Sequence, residues 1–292
     1  MLNFFSMKYI VLLLFFISHF NFAQNIEPFQ IYNEKGRKVS TKKFLKELRK
    51  GEIILFGEYH DNPIVHWLQL KTAQNLHSYS PVSLGGEMFE THQQEAINSY
   101  LRKEIDQVGL DSIIQLWPNY KTDYKPLLDF AKNENIPFVA TNIPRKYASY
   151  VYRNGLEALE KTLVEAEKEL VAPLPIIYDP SLPWYQAMTE MMGLGHAPTP
   201  NFPKAQAIKD ATMAHFIYQH YKENKKQFIH FNGDYHSKDF GGIYWYLKKL
   251  DEDLAITVVS TVEQLNVRKL EEEHKGQGDF IIVIDAEMTK TH

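Results

Sequence analysis

The sequence contains no cysteine among its 292 residues. This absence excludes disulfides, thiolate nucleophiles and Cys-ligated zinc or haem, so any metal must bind through nitrogen or oxygen ligands. Runs of lysine and arginine are also lacking, and the formal net charge is −4. Because binding to nucleic acid relies on clustered positive charge, we do not expect a nucleic-acid partner.

The N-terminal apolar run is too short to be a membrane anchor. Lys8 precedes apolar residues from Tyr9 to Ile17, and small or polar residues follow around Ala23 and Gln24. This layout is typical of a secretory signal peptide, whereas a spanning helix needs roughly 20 apolar residues. We therefore predict a signal peptide over residues 1–24 and a mature chain without a transmembrane segment. Export to the periplasm or beyond follows, without a Cys-linked lipid anchor.

The remaining residues, 25–292, have the composition of one globular domain, with 44% apolar and 23% charged residues. Strand-like apolar runs alternate with helical patterns, which predicts an α/β fold with a mainly parallel central sheet flanked by helices. The predicted strands are Glu52–Phe56, Pro81–Phe89, Ile136–Asn142, Lys226–Asn232, Leu254–Val262 and Asp279–Asp285. The predicted helices are Pro63–Leu76, His92–Arg102, Tyr124–Asn133, Arg145–Leu170 with a break near Gly155, and Lys204–Tyr221.

The segment from about residue 172 to 203 differs from its surroundings. It holds seven of the 14 prolines together with several aromatic and methionine residues. We interpret it as a helical, proline-rich insertion or lid rather than as part of the sheet.

Two four-residue motifs match each other. Gly57-Glu58-Tyr59-His60 and Gly233-Asp234-Tyr235-His236 each follow an apolar strand and precede a helix. The carboxyl ends of parallel strands form the ligand crevice of such sheets, and residues two apart in an extended chain face the same way. We therefore expect both pairs of acid and histidine to meet at one ligand. Alternatively, the acids cap helices and the histidines satisfy buried carbonyls.

Further polar residues are placed to reach the same crevice. Glu87 ends the run Val82-Ser83-Leu84-Gly85-Gly86 within a predicted strand, where a buried carboxylate needs a partner. It is either a site residue or the partner of an arginine such as Arg145. Asn142 and Arg145 follow the next strand, and either bind a ligand or form a helix cap with a surface charge.

Gln206 and Asp210 are four residues apart on a predicted helix, and so on one face. Their alternative interpretation is a solvated first turn of that helix.

Several catalytic signatures are missing. Neither a G-x-S-x-G nucleophile elbow nor a G-x-G-x-x-G dinucleotide motif after the first strand is present. His60, His236 and Glu58 instead supply two histidines and one carboxylate, a set that suits zinc, iron or manganese.

The segments GEYHDN, GGEMFE, NIPRKYASYVYRNG, QAIKDATMA and NGDYHSKDFGGIYWYL occur in this order. From about Glu52 to Leu247, the chain resembles the ChaN-like haem-binding uptake family of the Tiki superfamily. The resemblance implies a parallel sheet with a helical insertion, and export in bacteria that scavenge iron. It also implies haem binding, with a tyrosine oxygen as a possible axial ligand. Tyr178 and Tyr185 in the insertion are the candidates.

The same resemblance leaves a second function open. Other members of the superfamily resemble metal-dependent proteases and erythromycin esterases that use the G-x-x-H histidines and acids. In that hypothesis His60, His236 and Glu58 bind a metal or the attacking water, and Glu87 or Asp234 is the general base.

Family members are often lipoproteins, and the missing cysteine departs from that pattern. A homodimer is left open.

Overall fold

The structure, a computed structural model, describes residues 27–193 and 199–292. The predicted signal peptide lies outside these residues. Within the described part of the chain, no helix is both long and apolar enough to cross a membrane.

One eight-stranded sheet organises the molecule. The strands in spatial order are β2-β1-β8-β7-β3-β6-β4-β5. The six strands from β8 to β5 run parallel to one another, while β1 is antiparallel to both of its neighbours. The strands are β1 Phe29–Asn33, β2 Lys38–Val39, β3 Ile53–Glu58, β4 Val82–Glu90, β5 Phe138–Asn142, β6 Gln227–Gly233, β7 Ile256–Gln264 and β8 Phe280–Asp285.

Helices connect these strands. They are α1 Thr41–Leu48, α2 Pro63–His77, α3 Gln94–Leu101, α4 Gln107–Ile113, α5 Lys125–Glu134, α6 Arg145–Asn154, α7 Leu156–Thr162, α8 Glu165–Lys168, α9 Pro183–Gly193, α10 Phe202–Asn224 and α11 Gly242–Leu250. Short 3₁₀ turns follow β4 and β6, and a π-helical turn spans Tyr120–Tyr124. The predicted start of α2 is confirmed, because Asn62 Oδ1 accepts from the backbone N–H groups of Ile64 and Val65 at 3.1 and 3.3 Å.

The predicted mainly parallel α/β fold is confirmed. All six predicted strands are present, with ends within two residues of the predicted ones. The predicted break near Gly155, whose φ is 86°, separates α6 from α7. A second, unpredicted break at Leu163 and Val164, where the backbone is extended, separates α7 from α8. Strands β1 and β2 were not predicted. They pair locally with each other, and β1 joins the main sheet through β8, from the opposite end of the described chain.

Strand β3 is covered on both faces, as its apolar sequence predicts. Ile54 and Phe56 point into one core with helices α1 to α5, whereas Ile53 and Leu55 point into a second core with α10 and α11. All four side chains are fully buried, and each such burial contributes about 1.5–3 kcal/mol. A strand held this firmly on both sides fixes the position of the residues that follow its carboxyl end.

The proline-rich segment contributes no strand within its described residues, and its helix α9 packs on α10. Tyr185 and Met188 of α9 are buried against Ala207 of α10. The ring of Trp184 lies against Gly241, just before α11. The described part of this segment therefore lies over the faces of α10 and α11, beside the sheet.

Candidate functional site

The two G-x-x-H motifs, each of which forms a corner at the carboxyl end of a strand, lie side by side. Strands β3 and β6 are parallel neighbours, and Glu58 at the end of β3 is paired in register with Gly233 at the end of β6. His60 reaches across to the second corner, because a Cβ atom added to Gly233 would lie 3.0 Å from its Nε2. The same added atom would lie 3.4 Å from Glu87 Oε2, just beyond the part of β4 that pairs with β6. Three strand ends thus converge on Gly233.

Glu58 is the buried centre of the first corner. Its Oε1 accepts hydrogen bonds from His60 Nδ1 at 2.8 Å and from the Tyr124 hydroxyl at 2.6 Å, while Oε2 accepts from Gln69 Nε2 at 2.6 Å. Burial by itself raises the pKa of Glu58. The nearby His66 imidazole and the bonds from His60 and Tyr124 outweigh burial and hold this pKa below its ordinary value. Glu58 is therefore a carboxylate that orients His60.

His60 is the accessible histidine of the two. Its side chain is 41% exposed. Its ring meets the Trp117 ring edge-on, with centroids 5.0 Å apart. Burial works to lower the His60 pKa, but the bond to Glu58 and the charge of Glu87 raise it overall. With Nδ1 bound to Glu58, Nε2 is the nitrogen that faces Gly233 and the open edge of the site.

His236 lies between two carboxylates. Its Nε2 is 3.1 Å from Glu87 Oε1, and its Nδ1 is 2.5 Å from Asp210 Oδ1. The side-chain amide of Gln206 is 2.8 Å from the same Nδ1. Glu87 also accepts from the Gly233 backbone N–H at 2.8 Å. These contacts bring together β4, α10 and the turn after β6.

The charges of this second cluster are mutually dependent. Burial opposes the charged imidazole, but Glu87 and Asp210 together raise the pKa of His236 to about 9. The pKa of Glu87 is held far below its ordinary value, because His236 outweighs the effect of burial. Burial dominates at Asp210 and raises its pKa to about 6. His236 and Glu87 thus form a buried ion pair at neutral pH.

Asp234 is directed away from both histidine clusters. Its Oδ1 accepts from the Ser260 hydroxyl at 2.9 Å and from the Thr261 backbone N–H at 3.0 Å, both on β7. Burial raises the pKa of Asp234 to about 6. Asp234 therefore joins the second corner to β7, whereas the equivalent Glu58 of the first corner holds its histidine.

A cavity of about 870 Å³ opens beside Glu87. Four of the predicted site residues line it, namely Glu87, Asn142, Arg145 and Gln206. Its wall also contains aromatic and cationic side chains, including Trp117, Tyr152, Phe202, Arg153 and Lys209. The cavity lies at the carboxyl ends of β4 and β5, bounded by α6, the beginning of α10 and the loop before the π-helical turn. The cavity lies at the edge of the sheet where the sequence predicts a crevice, but the residues of the two G-x-x-H motifs are not part of its wall.

Asn142 and Arg145 have roles that differ from a simple helix cap. Asn142 Nδ2 donates to the Glu87 carbonyl at 3.0 Å, and its buried Oδ1 has no hydrogen-bond partner among the described residues. The backbone N–H of Arg145 donates to Glu90 Oε2 at 3.0 Å, while its side chain lines the cavity. Glu87 pairs with His236 instead of Arg145.

Tyr178 and Tyr185 lie outside the cavity wall. Their rings pack together with centroids 5.2 Å apart, and Tyr185 also contacts Trp184. Tyr185 is 1% exposed, and burial raises the pKa of its hydroxyl far above the ordinary value. Deprotonation of this phenol is therefore strongly opposed.

The predicted metal set is divided between two clusters. Glu58 binds His60, whereas both nitrogens of His236 are engaged by other carboxylates. Across the described ranges, the three-residue group with suitably close donor atoms is Glu271, Glu273 and His274, which is largely exposed and distant in sequence from the motifs. The arrangement gives no support to a metal held by His60, His236 and Glu58.

Sequence reasoning missed several residues around the two motifs. Gln69 and Tyr124 bind Glu58, and Trp117 contacts His60 while lining the cavity. Nothing in the local sequence marks these three, because only packing of α2 and the π-helical turn on β3 brings them there. The position of Lys209 near the site could have been predicted, since it follows Gln206 by three residues and so lies on the same side of α10.

The fold and the polar edge define an α/β protein with a ligand crevice at the carboxyl ends of its parallel strands. The chain belongs to the family described as "Haem-binding uptake, Tiki superfamily, ChaN", whose model matches residues 44–247.

Solved structures share the fold. The chain resembles the structure "Cofacial heme binding to ChaN of Campylobacter jejuni" with a TM-score of 0.67 and 16% identity, over 89% of this chain and 98% of that one. It also resembles a succinoglycan biosynthesis protein with a TM-score of 0.53 and 10% identity, over 88% of this chain and 93% of that one. At such low identity these similarities show the fold alone.

A curated relative is the chloroplastic protein RETICULATA-RELATED 5 of Arabidopsis thaliana. It is 27% identical over 155 residues, which are 50% of this chain. The match spans only 20% of the plant protein's length.

Proposed function

We propose that the protein binds haem in the cavity beside Glu87 and takes part in haem or iron uptake. The observation that carries this proposal is the composition of the cavity wall in a chain of this family: aromatic surface, a tyrosine and three cationic side chains line one space. Its volume of about 870 Å³ falls in the range typical of small-molecule and cofactor sites.

The wall suits a flat, largely apolar ligand. Trp117, Tyr152 and Phe202 are each half-buried and line the cavity from different elements. Aromatic side chains of this kind offer large apolar contact areas to a porphyrin. Bound haem would supply an iron centre that accepts an oxygen or nitrogen ligand from the protein.

Tyr152 is the candidate oxygen ligand. Tyr152 lies on α6 and lines the cavity, whereas Tyr185 of α9 packs against Tyr178 outside the cavity wall. Iron coordination by a phenol oxygen requires loss of its proton, and the buried position of Tyr185 opposes that loss. The structure therefore favours Tyr152 over the two tyrosines that the sequence indicated.

Hemin titration of the purified protein tests the proposal. We expect saturable uptake at micromolar hemin with a shifted Soret band, and an altered band in Tyr152→Phe. Tyr178→Phe is the matched control, because it removes a hydroxyl outside the cavity wall, and its spectrum should equal that of the wild type. Absence of saturable uptake by the wild type would rule out haem binding, and an unchanged Tyr152→Phe spectrum would rule out this ligand.

Export by the N-terminal signal is part of the proposal. The support is the sequence of Lys8, the apolar run after it and the small residues near Ala23. N-terminal sequencing of the protein recovered from the periplasm or medium should begin near residue 24. Recovery only from the cytoplasm with an intact N-terminus would contradict export.

Oligomeric state is a separate question, and the test is sedimentation with and without hemin. A homodimer, which the sequence leaves open, would sediment at twice the mass of the monomer. A metal-dependent hydrolase is not proposed, because both nitrogens of His236 are already engaged by carboxylates.

A further inference from the structure

Residues 288–292 form a short segment, called the strap below, that lies along the first G-x-x-H corner. The backbone N–H of Thr291 donates to the Asp61 carbonyl at 2.9 Å, and Lys290 Nζ is 3.3 Å from Asp61 Oδ1. Lys290 also forms an ion pair with Glu263 on β7. The strap therefore joins the turn after β3 to a neighbouring strand of the sheet.

The strap is also connected to the cavity wall, through the buried carboxylate of Asp123. Asp123 Oδ2 accepts from the Thr291 hydroxyl at 2.8 Å and from Asn119 Nδ2 at 2.7 Å. Asn119 Nδ2 donates in addition to the His60 carbonyl at 2.7 Å. Residues 113–118, which come directly before Asn119, line the cavity. Hydrogen bonds thus lead from the strap to this wall segment and to the first motif histidine.

The two motif tyrosines show that the corners are held differently. Lys290 of the strap lies over the Tyr59 ring, with its Nζ 5.7 Å from the ring centroid. At the second corner, Lys238 lies over the Tyr235 ring at 3.8 Å. Lys238 is only three residues from Tyr235, whereas Lys290 is more than 200 residues from Tyr59. The first corner therefore depends on a segment that is distant in sequence.

The ionic contacts of the strap are of a kind that opens easily. The Lys290 side chain is 33% exposed, and those of Asp61 and Glu263 are 35% and 20% exposed. Ion pairs near the surface contribute little to stability and are screened by salt. Asp123 belongs to the π-helical turn Tyr120–Tyr124, and such turns are frequent at functional sites. The strap can thus detach locally while the sheet remains folded.

We propose that the strap controls access to the cavity. When Lys290 and Thr291 are bound, residues 113–118 and His60 are held in place and the wall is closed. When the strap detaches, this wall segment moves outward and a ligand enters or leaves. The ligand contacts themselves are unchanged, so detachment accelerates binding and release together and leaves the affinity nearly constant. The motion is independent of the proposed haem site, but its effect on hemin rests on that site.

Hydrogen–deuterium exchange of the ligand-free protein tests the motion. Lys290→Met combined with Thr291→Val should accelerate amide exchange about tenfold at residues 59–62 and 113–124 and leave β4 and β6 unchanged. Lys275→Met is the matched control, because it removes a surface ion pair away from the cavity wall and should leave all of these rates unchanged. Acceleration throughout the sheet, or none at residues 113–124, would overturn the inference.

Stopped-flow measurements with hemin test the effect on access. In the double variant we expect association and dissociation both to be about tenfold faster, with the Kd within about twofold of the wild type. Salt at about 0.5 M should accelerate hemin dissociation from the wild type more than from the double variant, because it screens the ion pairs of Lys290. Unchanged hemin rates in the double variant would contradict control of access by the strap.

The two proposals fail in different ways. If the wild type binds hemin and the double variant has wild-type rates, haem binding stands and the role of the strap is wrong. If the wild type binds no hemin, the haem site is wrong, while hydrogen–deuterium exchange still decides whether the strap holds the cavity wall.

Discussion

Glu87 Oε1 lies 3.1 Å from His236 Nε2, in an ion pair whose side chains are only 6% and 7% exposed. The two residues are far apart in sequence and belong to β4 and to the turn after β6. Glu87 also holds the Gly233 backbone N–H at 2.8 Å. Glu87 therefore fixes the second G-x-x-H corner from the neighbouring strand, while His236 connects that corner to Asp210 on α10.

The first prediction concerns this ion pair. Glu87→Gln leaves the buried His236 imidazole without one of its two carboxylates, so we expect a loss of about 3 kcal/mol in the free energy of unfolding. Urea denaturation at neutral pH measures it. Glu134→Gln, at the exposed end of α5, is the matched control and should change stability by less than about 0.5 kcal/mol. Equal stability of the two variants would show that the pair has no net structural role.

The second prediction separates the two motif histidines. His236→Ala removes the partner of two buried carboxylates and should destabilise the protein by about 3 kcal/mol or more. His60→Ala should destabilise it by less than about 1 kcal/mol, since the His60 side chain is 41% exposed and makes one close carboxylate contact. The urea unfolding midpoints of the two variants, each compared with that of the wild type, test this prediction. A larger effect at His60 would be inconsistent with the structure.

The third prediction is a pH dependence at Asp234. Burial raises its pKa from 3.8 to about 6 in the folded state, so the folded protein favours the protonated acid. Its contribution to stability therefore falls as pH rises through this window, since the charged form becomes buried. Asp234→Asn keeps the acceptor for Ser260 and Thr261 but removes the titration.

Stability measurements at about pH 4.5 and about pH 7.5 test this prediction. The variant should gain relative to the wild type at the higher pH. Asp253→Asn, on the exposed loop before β7, should show no such change. A difference between Asp234→Asn and wild type that is independent of pH would contradict the buried charge.

The fourth prediction distinguishes the two motif glycines. A Cβ at Gly57 would overlap Asp234 Oδ1, which is held by hydrogen bonds to β7, and would lie 3.1 Å from the carbonyl oxygen of Val259 in the same strand. Gly57→Ala should cost about 1–3 kcal/mol or prevent folding. A Cβ at Gly233 would meet the His60 ring at 3.0 Å.

Because the His60 ring is partly exposed and can move, Gly233→Ala should have the smaller effect on stability. Its clearer signature is a shift of the His60 ring resonances in NMR spectra. A more severe loss of stability for Gly233→Ala than for Gly57→Ala would mean that the His60 ring is held as rigidly as the sheet backbone.

The strands, and the edge of the sheet at which the two motifs lie, followed from local sequence. Residues 53–56 are continuously apolar, which predicts a strand buried on both faces, and a parallel sheet aligns the carboxyl ends of its strands at one edge. The paired motifs were therefore placed correctly at neighbouring strand ends. The burial of Asp210 was harder to predict, because a charged residue early in a helix usually faces solvent. Here α10 is enclosed by α6, α9 and α11.

The partners of each side chain came from contacts distant in sequence. The matching acids Glu58 and Asp234 have the same position in their motifs, yet Glu58 binds His60 whereas Asp234 binds β7. The difference arises because Glu58 is the last residue of a strand and Asp234 begins a 3₁₀ turn. From sequence spacing alone, both acids were expected to face one ligand together with their histidines.

The sequence by itself determined the α/β class, the family and the edge of the sheet where polar residues gather, because apolar periodicity and short motifs are local properties. Tertiary structure alone decided that Glu87 pairs with His236, that Tyr152 instead of Tyr185 lines the cavity, and that Arg145, Arg153 and Lys209 share its wall. The partner of Glu87 and the residues of the cavity wall depend on how α6, α9 and α10 pack over the strand ends. That packing is set by the buried surfaces of whole helices, which no short motif encodes.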